Sequence, residues 1–286
     1  MNTSSLKALY NIDAIKTINE FQKTDSTNLR AKEDIRSYIE DKDWIENNIP
    51  SLYIADIQTA GRGRSGRTWE SESEAGIWMS YLFMPKLSSE AISGVTLLSS
   101  IAVADAIKEY SERHKLKKAH VQIKWPNDII INRKKVCGIL TELIAPNYVI
   151  CGIGINVNTE SFDDSLSDKA TSLLIETGEN WSRETLVYLI IRKLSDLISE
   201  YEIKQSLDFV VDRYNDMLVS MNNEVVIIDN SSTGSSLDSG IVKTSENSYI
   251  CRGIKSNGAL LIENSSGHIS SISSGEVSVR GIYGYV

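Results

Sequence analysis

Apolar positions in this chain recur with two periods, one near two residues and one near 3.6, and their succession lays out a mixed architecture. Glu20 to Lys23 forms a short strand running into Thr24-Asp25-Ser26-Thr27-Asn28. From Leu29 the spacing of Ala31, Ile35, Tyr38 and Ile39 is helical. Asp25 to Asn28 are the residue types with which helices start. Ahead of this, Leu6, Leu9, Ile12, Ile15 and Ile18 keep a weaker helical spacing. Ser51 to Gln58 alternates as a strand, and Ile77 to Met84 is a second strand closed by Pro85. Ser88 or Ser89 then caps a helix through about Tyr110, with Ile92, Val95, Leu98, Ala102 and Ile107 on its core face.

Val121 and Ile123 alternate with Gln122 and Lys124 in a strand that Pro126 ends. Ile129–Ile131 and Val136–Leu143 read as paired strands around a turn at Asn132 to Lys135, and Tyr148 to Asn158 is a further apolar strand. Gly152 and Gly154 within it leave space for a ligand against the backbone. Ser182 caps a helix whose core face is Leu186, Ile190, Leu194, Leu197 and Tyr201, and a second helical run covers Leu207 to about Leu218. From Asn222 the pattern changes to short strands separated by Gly, Ser and Asn turns: Val225–Ile228, Ser239–Lys243, Tyr249–Ile254, Ala259–Ile262, His268–Ile272 and Val277–Arg280. Asn257-Gly258 between apolar runs is a hairpin signal. The reading is an α+β domain over residues 1–221 followed by a small β-barrel over 222–286.

Composition narrows the function. The 286 residues are 41% hydrophobic and 24% charged, the range of an ordinary globular chain, and the net charge of -8 argues against nucleic acid as a partner. No window is long and apolar enough for a membrane span or a signal peptide. Cys137, Cys151 and Cys251 lie apart in apolar runs, and the three histidines have no metal-ligand spacing. A cytoplasmic protein with reduced, buried thiols is expected.

Against this acidic background Gln58 to Ser71, Q-T-A-G-R-G-R-S-G-R-T-W-E-S, is a local cationic island. Gly61, Gly63 and Gly66 let backbone N–H groups approach a ligand, and Arg62, Arg64 and Arg67 offer fork-shaped donors to phosphate or carboxylate. Such a loop is expected to be mobile when empty and ordered by its ligand. Further strings accompany it: T-D-S-T-N at 24–28, K-W-P-N-D at 124–128, K-K-V-C-G-I-L-T-E at 134–142, G-I-G-I-N at 152–156 and A-T-S-L at 170–173. Together and in this order they resemble the motifs of the biotin protein ligases, in the form that lacks an N-terminal DNA-binding domain, since there is no room for one before the first motif.

The resemblance implies a mixed-sheet ligase-type catalytic domain, an SH3-like barrel, and ATP-dependent ligation of biotin to a lysine of a biotin carboxyl carrier protein or domain through biotinyl-5′-AMP. It implies Lys124, Arg64 and Lys135 as catalytic residues. Ser26, Thr27, Asn28, Gln58, Arg62, Gly63, Arg64, Lys124 and Gly138 would hold biotin. Arg62, Trp69, Asn127, Asp128, Asn156, Ala170 and Arg280 would hold ATP, with Mg²⁺ arriving on the nucleotide. Monomer and homodimer both stay open. Two alternatives stand beside this reading. A lipoate–protein ligase shares the two-step logic, but its substrate has no ureido ring to pair with the neutral polar cluster of Ser26, Thr27, Asn28 and Gln58. A non-catalytic biotin-sensing regulator would need a DNA- or partner-binding element.

Overall fold

The computed structural model describes residues 6, 15–71, 74–117, 119–229, 248–273 and 277–281. A seven-stranded mixed sheet carries the first part of the chain. Its strands are β1 (Thr17–Thr24), β2 (Ser51–Gln58), β3 (Ile77–Phe83), β4 (Val121–Lys124), β5 (Asp128–Ile131), β6 (Lys134–Ile144) and β7 (Tyr148–Ile155), in the spatial order β1-β2-β3-β7-β6-β5-β4. Only β1 and β2 run parallel; every other neighbour in this sheet is antiparallel. The helices are α1 (Thr27–Tyr38), α2 (Lys42–Asn48), α3 (Ile92–Arg113), the short α4 (Asp164–Ser167) and α5 (Leu173–Thr177), α6 (Arg183–Lys204) and α7 (Asp208–Met217). A second, all-antiparallel sheet follows, made of β8 (Glu224–Asp229), β9 (Ser248–Ile254), β10 (Leu260–Glu263), β11 (Ile269–Ile272) and β12 (Val277–Gly281) in the order β11-β10-β9-β8-β12. The fold is α+β, as the periodicities predict.

The two faces of the large sheet differ because its central strands alternate with period two. On β7, Val149, Cys151, Ile153 and Ile155 enter the main core, where α3 packs with α6 against it. The other face of the same strand reads Tyr148, Ile150, Gly152, Gly154. Its first half is covered by Ala31 and Ile35 of α1 in a small second core with Tyr53 and Leu82. Its glycine half is left open, and the candidate site lies there.

Several expectations are corrected. The expected strand at Glu20 to Lys23 is present but begins earlier, at Thr17 rather than after the tail of a helix, because pairing with β2 in the register Thr17↔Ser51 outweighs the weak helical spacing. The helix after Pro85 begins at Ile92 rather than Ser88 or Ser89. The Ala91 carbonyl accepts the Tyr201 hydroxyl at 3.1 Å, and Gly94 packs so closely on that ring that a Cβ would lie 2.8 Å from Oη. Tyr38 is 42% exposed rather than on the core face, and stacks on Trp44 of α2, a helix the periodicity does not reveal. The β5–β6 turn closes to Asn132-Arg133, both at positive φ (48° and 66°), as a two-residue hairpin demands. The expected strand Ser239–Lys243 lies outside the described residues, as does the side chain of Arg280, whose backbone pairs with Val226 in β12.

The change from helices to short strands falls between α7 and β8, near the expected boundary at 221/222, but the core does not stop there. Val225, Cys251, Ile254 and Leu260 belong to the same buried cluster as Leu207, Val210 and Tyr214. Trp125 Nε1 donates to the Gly258 carbonyl at 3.1 Å, and the Ile254 N–H donates to Asn215 Oδ1 at 3.0 Å. Ending the chain at residue 221 would expose that apolar face, at about 25 cal/mol per Å². The expected result is therefore a fragment that unfolds well below the full-length chain; equal melting temperatures in a calorimetric scan would contradict it.

Candidate active site

The open face is built in register. Trp78, Gly154 and Gly138 lie side by side on β3, β7 and β6; the next row is Ser80, Gly152 and Leu140, and the next Leu82, Ile150 and Glu142. At a strand's rise per residue, the first and third rows are about 13 Å apart. Glycines in the middle strand lower the floor, so a cleft of about 480 Å³, counting its mouth, opens between α1 and the loop after β2.

One end of the cleft is neutral and polar. Ser26, Thr27 and Asn28, at the start of α1, and Gln58, at the end of β2, are all buried there. Parallel pairing of β1 with β2 brings them together, since Thr24 is the register partner of Gln58. Gln58 Oε1 accepts from the Thr27 N–H at 2.8 Å and faces the Thr27 hydroxyl at 3.1 Å, while its amide donates to Ser71 Oγ at 3.2 Å. Ser80 sits between Thr27 Oγ1 (2.7 Å) and Asn28 Oδ1 (2.6 Å). Asn28 Nδ2 donates to Glu142 Oε2 at 3.0 Å, and Lys32 Nζ holds the other carboxylate oxygen at 2.6 Å. Burial alone would raise the Glu142 carboxyl, but the hydrogen bonds from Lys32 and Asn28, with the charges of Lys32 and Arg62, outweigh it and hold it below the ordinary glutamate value.

The other end is cationic. The glycine–arginine loop folds back as a small hairpin, with Gly63 N–H donating to the Arg67 carbonyl at 2.7 Å and Trp69 N–H to the Gly61 carbonyl at 2.9 Å. Gly61 admits no side chain: a Cβ there would lie 2.4 Å from the Trp69 carbonyl. The hairpin lays the Trp69 indole on Gly154 and Gly138, with its N–H buried and without a hydrogen-bond partner. Lys135 Nζ lies 4.9 Å from the centroid of that ring and 2.7 Å from Asp128 Oδ1. Arg64 Nη1 donates to Asn127 Oδ1 at 3.2 Å, and Asn127 Nδ2 to the Ile139 carbonyl at 2.9 Å. Burial lowers the Arg64 pKa, Asp128 opposing and Arg67 adding to the effect. A guanidinium starts high enough to keep its charge regardless.

Among the residues read from the sequence, the cleft gathers Ser26, Thr27, Asn28 and Gln58 at the neutral end. Arg62, Gly63, Arg64, Trp69, Asn127, Lys135 and Gly138 also line it. Lys124 does not. It ends β4, the edge strand, where its register partner Asp128 pairs in turn with Gly138, so it stands at the outer end of the row of Gly138 and Gly154. The lysine lining the cleft is Lys135, at the start of β6. Asp128 is the register partner of Gly138 and is ion-paired to Lys135. Asn156 is buried and donates to the Thr171 carbonyl at 3.2 Å, which fastens the 170–172 segment behind β6 rather than lining the cleft. Ala170 bridges to Lys135 through the backbone. Ser80, Glu142 and Lys32 belong to the neutral end and were not assigned a role from sequence. Ser80 gives no local signal, because its position on the cleft face depends on β3 pairing with β7.

A family model described as the biotin/lipoate A/B protein ligase family matches residues 20–157 of the chain. Its likeness is to the biotin protein ligases. The bifunctional ligase/repressor BirA of Bacillus subtilis (strain 168) is 43% identical over 153 residues, 51% of this chain and 45% of that one. BirA of Escherichia coli (strain K12) is 30% identical over 231 residues, 79% of this chain and 65% of that one. The chain thus spans about half the length of the Bacillus relative it matches. The solved structure of the biotin protein ligase from Aquifex aeolicus in complex with biotin and ATP superposes with a TM-score of 0.71 at 27% identity, covering 93% of this chain and 99% of that one.

Proposed function

We propose that this chain is a biotin–[biotin carboxyl-carrier protein] ligase that forms biotinyl-5′-AMP and passes the biotinyl group to a carrier lysine. The observation that carries the reading is the division of one cleft into a neutral, hydrogen-bonding end and a cationic end, joined by a glycine floor. An uncharged ureido ring suits the first; a carboxylate meeting an α-phosphate requires the second. In the first step a biotin carboxylate oxygen bonds to the α-phosphorus and the bond to pyrophosphate breaks. In the second a carrier amine bonds to the acyl carbon, AMP leaves, and the amine gives up a proton.

The residues' part in this is electrostatic and positional. Two anions repel on approach, and fixed positive charge in a partly dry cleft offsets that repulsion far better than in water. Lys135, Arg64 and Arg62, which all line the cleft, would supply that charge. Lys135 is held by Asp128, so its ammonium is oriented before substrate arrives. The Trp69 indole offers a flat apolar wall, which suits a nucleobase. Among the described residues, no three His, Cys, Asp or Glu side chains gather to hold a metal. In this proposal Mg²⁺ is bound as MgATP, by the nucleotide's own phosphates. Three buried, unbridged cysteines fit a reducing, cytoplasmic setting; among the described residues no helix is long and apolar enough to cross a membrane.

The test is exchange of labelled pyrophosphate into ATP. Exchange should depend on biotin and be absent with lipoate, because the neutral end would lose its hydrogen-bond partners to a dithiolane. Exchange with lipoate instead would favour the lipoate–protein ligase reading. Tight biotin binding without exchange would favour a sensor.

A further inference from the structure

Lys135 reaches the cleft because β6 carries one residue more than its neighbour. Gly138 and Leu140 line the cleft, while Cys137 and Ile139 enter the main core. Strict alternation would therefore send Lys135 into the core beside Cys137. The pairing with β5 breaks that alternation. Ile129 is the partner of Cys137 but Ile130 is the partner of Lys135, so Val136 is the extra residue of a β-bulge. Val136 is buried in the core, and Lys135 turns to the side of Gly138, its Nζ 3.0 Å from where a Cβ on Gly138 would stand. A bulge leaves backbone groups that the ladder does not serve. Here a separate segment serves them: the Lys135 N–H donates to the Lys169 carbonyl at 2.8 Å, and the Thr171 N–H donates to the Lys135 carbonyl at 2.9 Å. The Asn156 N–H donates to the Val136 carbonyl at 2.9 Å.

That segment is itself fastened. Asn156 Nδ2 donates to the Thr171 carbonyl at 3.2 Å, and the buried Thr171 hydroxyl donates to Glu176 Oε1 at 2.6 Å, a charge-assisted bond. The other carboxylate oxygen of Glu176, on α5, accepts from Asn132 Nδ2 in the β5–β6 turn. Glu176 thus joins the turn at one end of the bulge to the segment lying along it. We propose that residues 169–171 form a strap that holds the bulge, and that Glu176, acting through Thr171, is a positioning residue that aims Lys135 at the cleft. For pyrophosphate exchange this rests on the chain being the ligase proposed above; the aim of Lys135 itself does not.

Two readouts on the full chain test it: the rate at which acetic anhydride acetylates Lys135, followed by mass spectrometry, and biotin-dependent pyrophosphate exchange. In Glu176→Ala, Lys135 should react several-fold faster while Lys124 in the same protein keeps its wild-type rate. Exchange should fall about tenfold, the scale of a misplaced catalytic group, with biotin affinity unchanged. Glu176→Gln keeps an acceptor for the Thr171 hydroxyl and should restore both readouts. In a Lys135→Ala background, adding Glu176→Ala should change exchange by less than about twofold, because the residue it positions is gone. If Glu176→Ala does not fold, Thr171→Val, which removes the same hydrogen bond at nearly the same volume, decides. Unchanged Lys135 labelling and exchange in a folded variant, or an equal loss with and without Lys135, would overturn the inference. Faster labelling of Lys135 in the variant, in a chain whose wild type shows no exchange, would support the strap and overturn the ligase reading alone.

Discussion

In a Lys135→Ala protein, biotin-dependent pyrophosphate exchange should fall by on the order of 10² to 10³, the scale of removing one donor aimed at developing negative charge. Lys135 is the lysine that the fold brings onto the glycine floor, within 3.0 Å of where a Gly138 side chain would begin and beside the Trp69 ring. Its removal also leaves Asp128, buried to 9% exposure, without its 2.7 Å partner, which adds a negative charge where anions must meet. Binding of biotin alone should weaken far less, because the neutral end is untouched. Lys124→Ala is the informative comparison. Lys124 carries the most specific string in the chain and stands at the edge-strand end of the same row, outside the cleft lining, so its loss should cost exchange less. Rates for both variants, with melting curves to show that they are folded, check the assignment. Near-normal exchange in folded Lys135→Ala together with a collapse in Lys124→Ala would reverse it.

Gly152→Ala should abolish most biotin binding while leaving the sheet intact. A Cβ at 152 would lie 2.1 Å from Asn28 Oδ1 and 2.8 Å from its Cγ, distances no real contact shows. An exposed asparagine would swing away at little cost. Asn28 cannot, since Ser80, Leu140 and Glu142 hold both ends of its amide. Moving it breaks buried hydrogen bonds worth about 1–3 kcal/mol each when left unsatisfied, and overpacking adds a similar amount. The expected outcome is a loss of biotin affinity on the order of a hundredfold or more. Titration of biotin against the variant measures it, and an affinity within a few-fold of wild type would show that Asn28 is less firmly held than its hydrogen bonds imply.

The sequence was most legible where one short stretch contains both the signal and the structure. Q-T-A-G-R-G-R-S-G-R-T-W-E-S can be read as a ligand loop because its glycines and arginines act within a single hairpin. Y-V-I-C-G-I-G-I-N can be read as a strand with an open face because period two separates Gly152 and Gly154 from their apolar neighbours. Ser182 was legible as a cap, and its hydroxyl does accept from the Thr185 N–H at 3.2 Å. The α+β class, the sheet strands and the change of pattern after Met221 follow from the same local periodicities.

Other properties depend on which strands become neighbours, and no local pattern carries that. Lys124 and Lys135 are alike as residues, each on a strand beside a recognisable motif. Only the order β7-β6-β5-β4 places one on the cleft and the other at the edge. Ser80 reads as an ordinary serine inside an apolar strand until β3 pairs with β7 and sets it beside Gly152. Glu142 joins Asn28 across 114 residues, a contact that no local pattern signals. Residue types and periods are properties of the chain taken a few positions at a time. Proximity, and with it the sign and direction of the electrostatics, is created when distant strands pair, and so belongs to the tertiary structure.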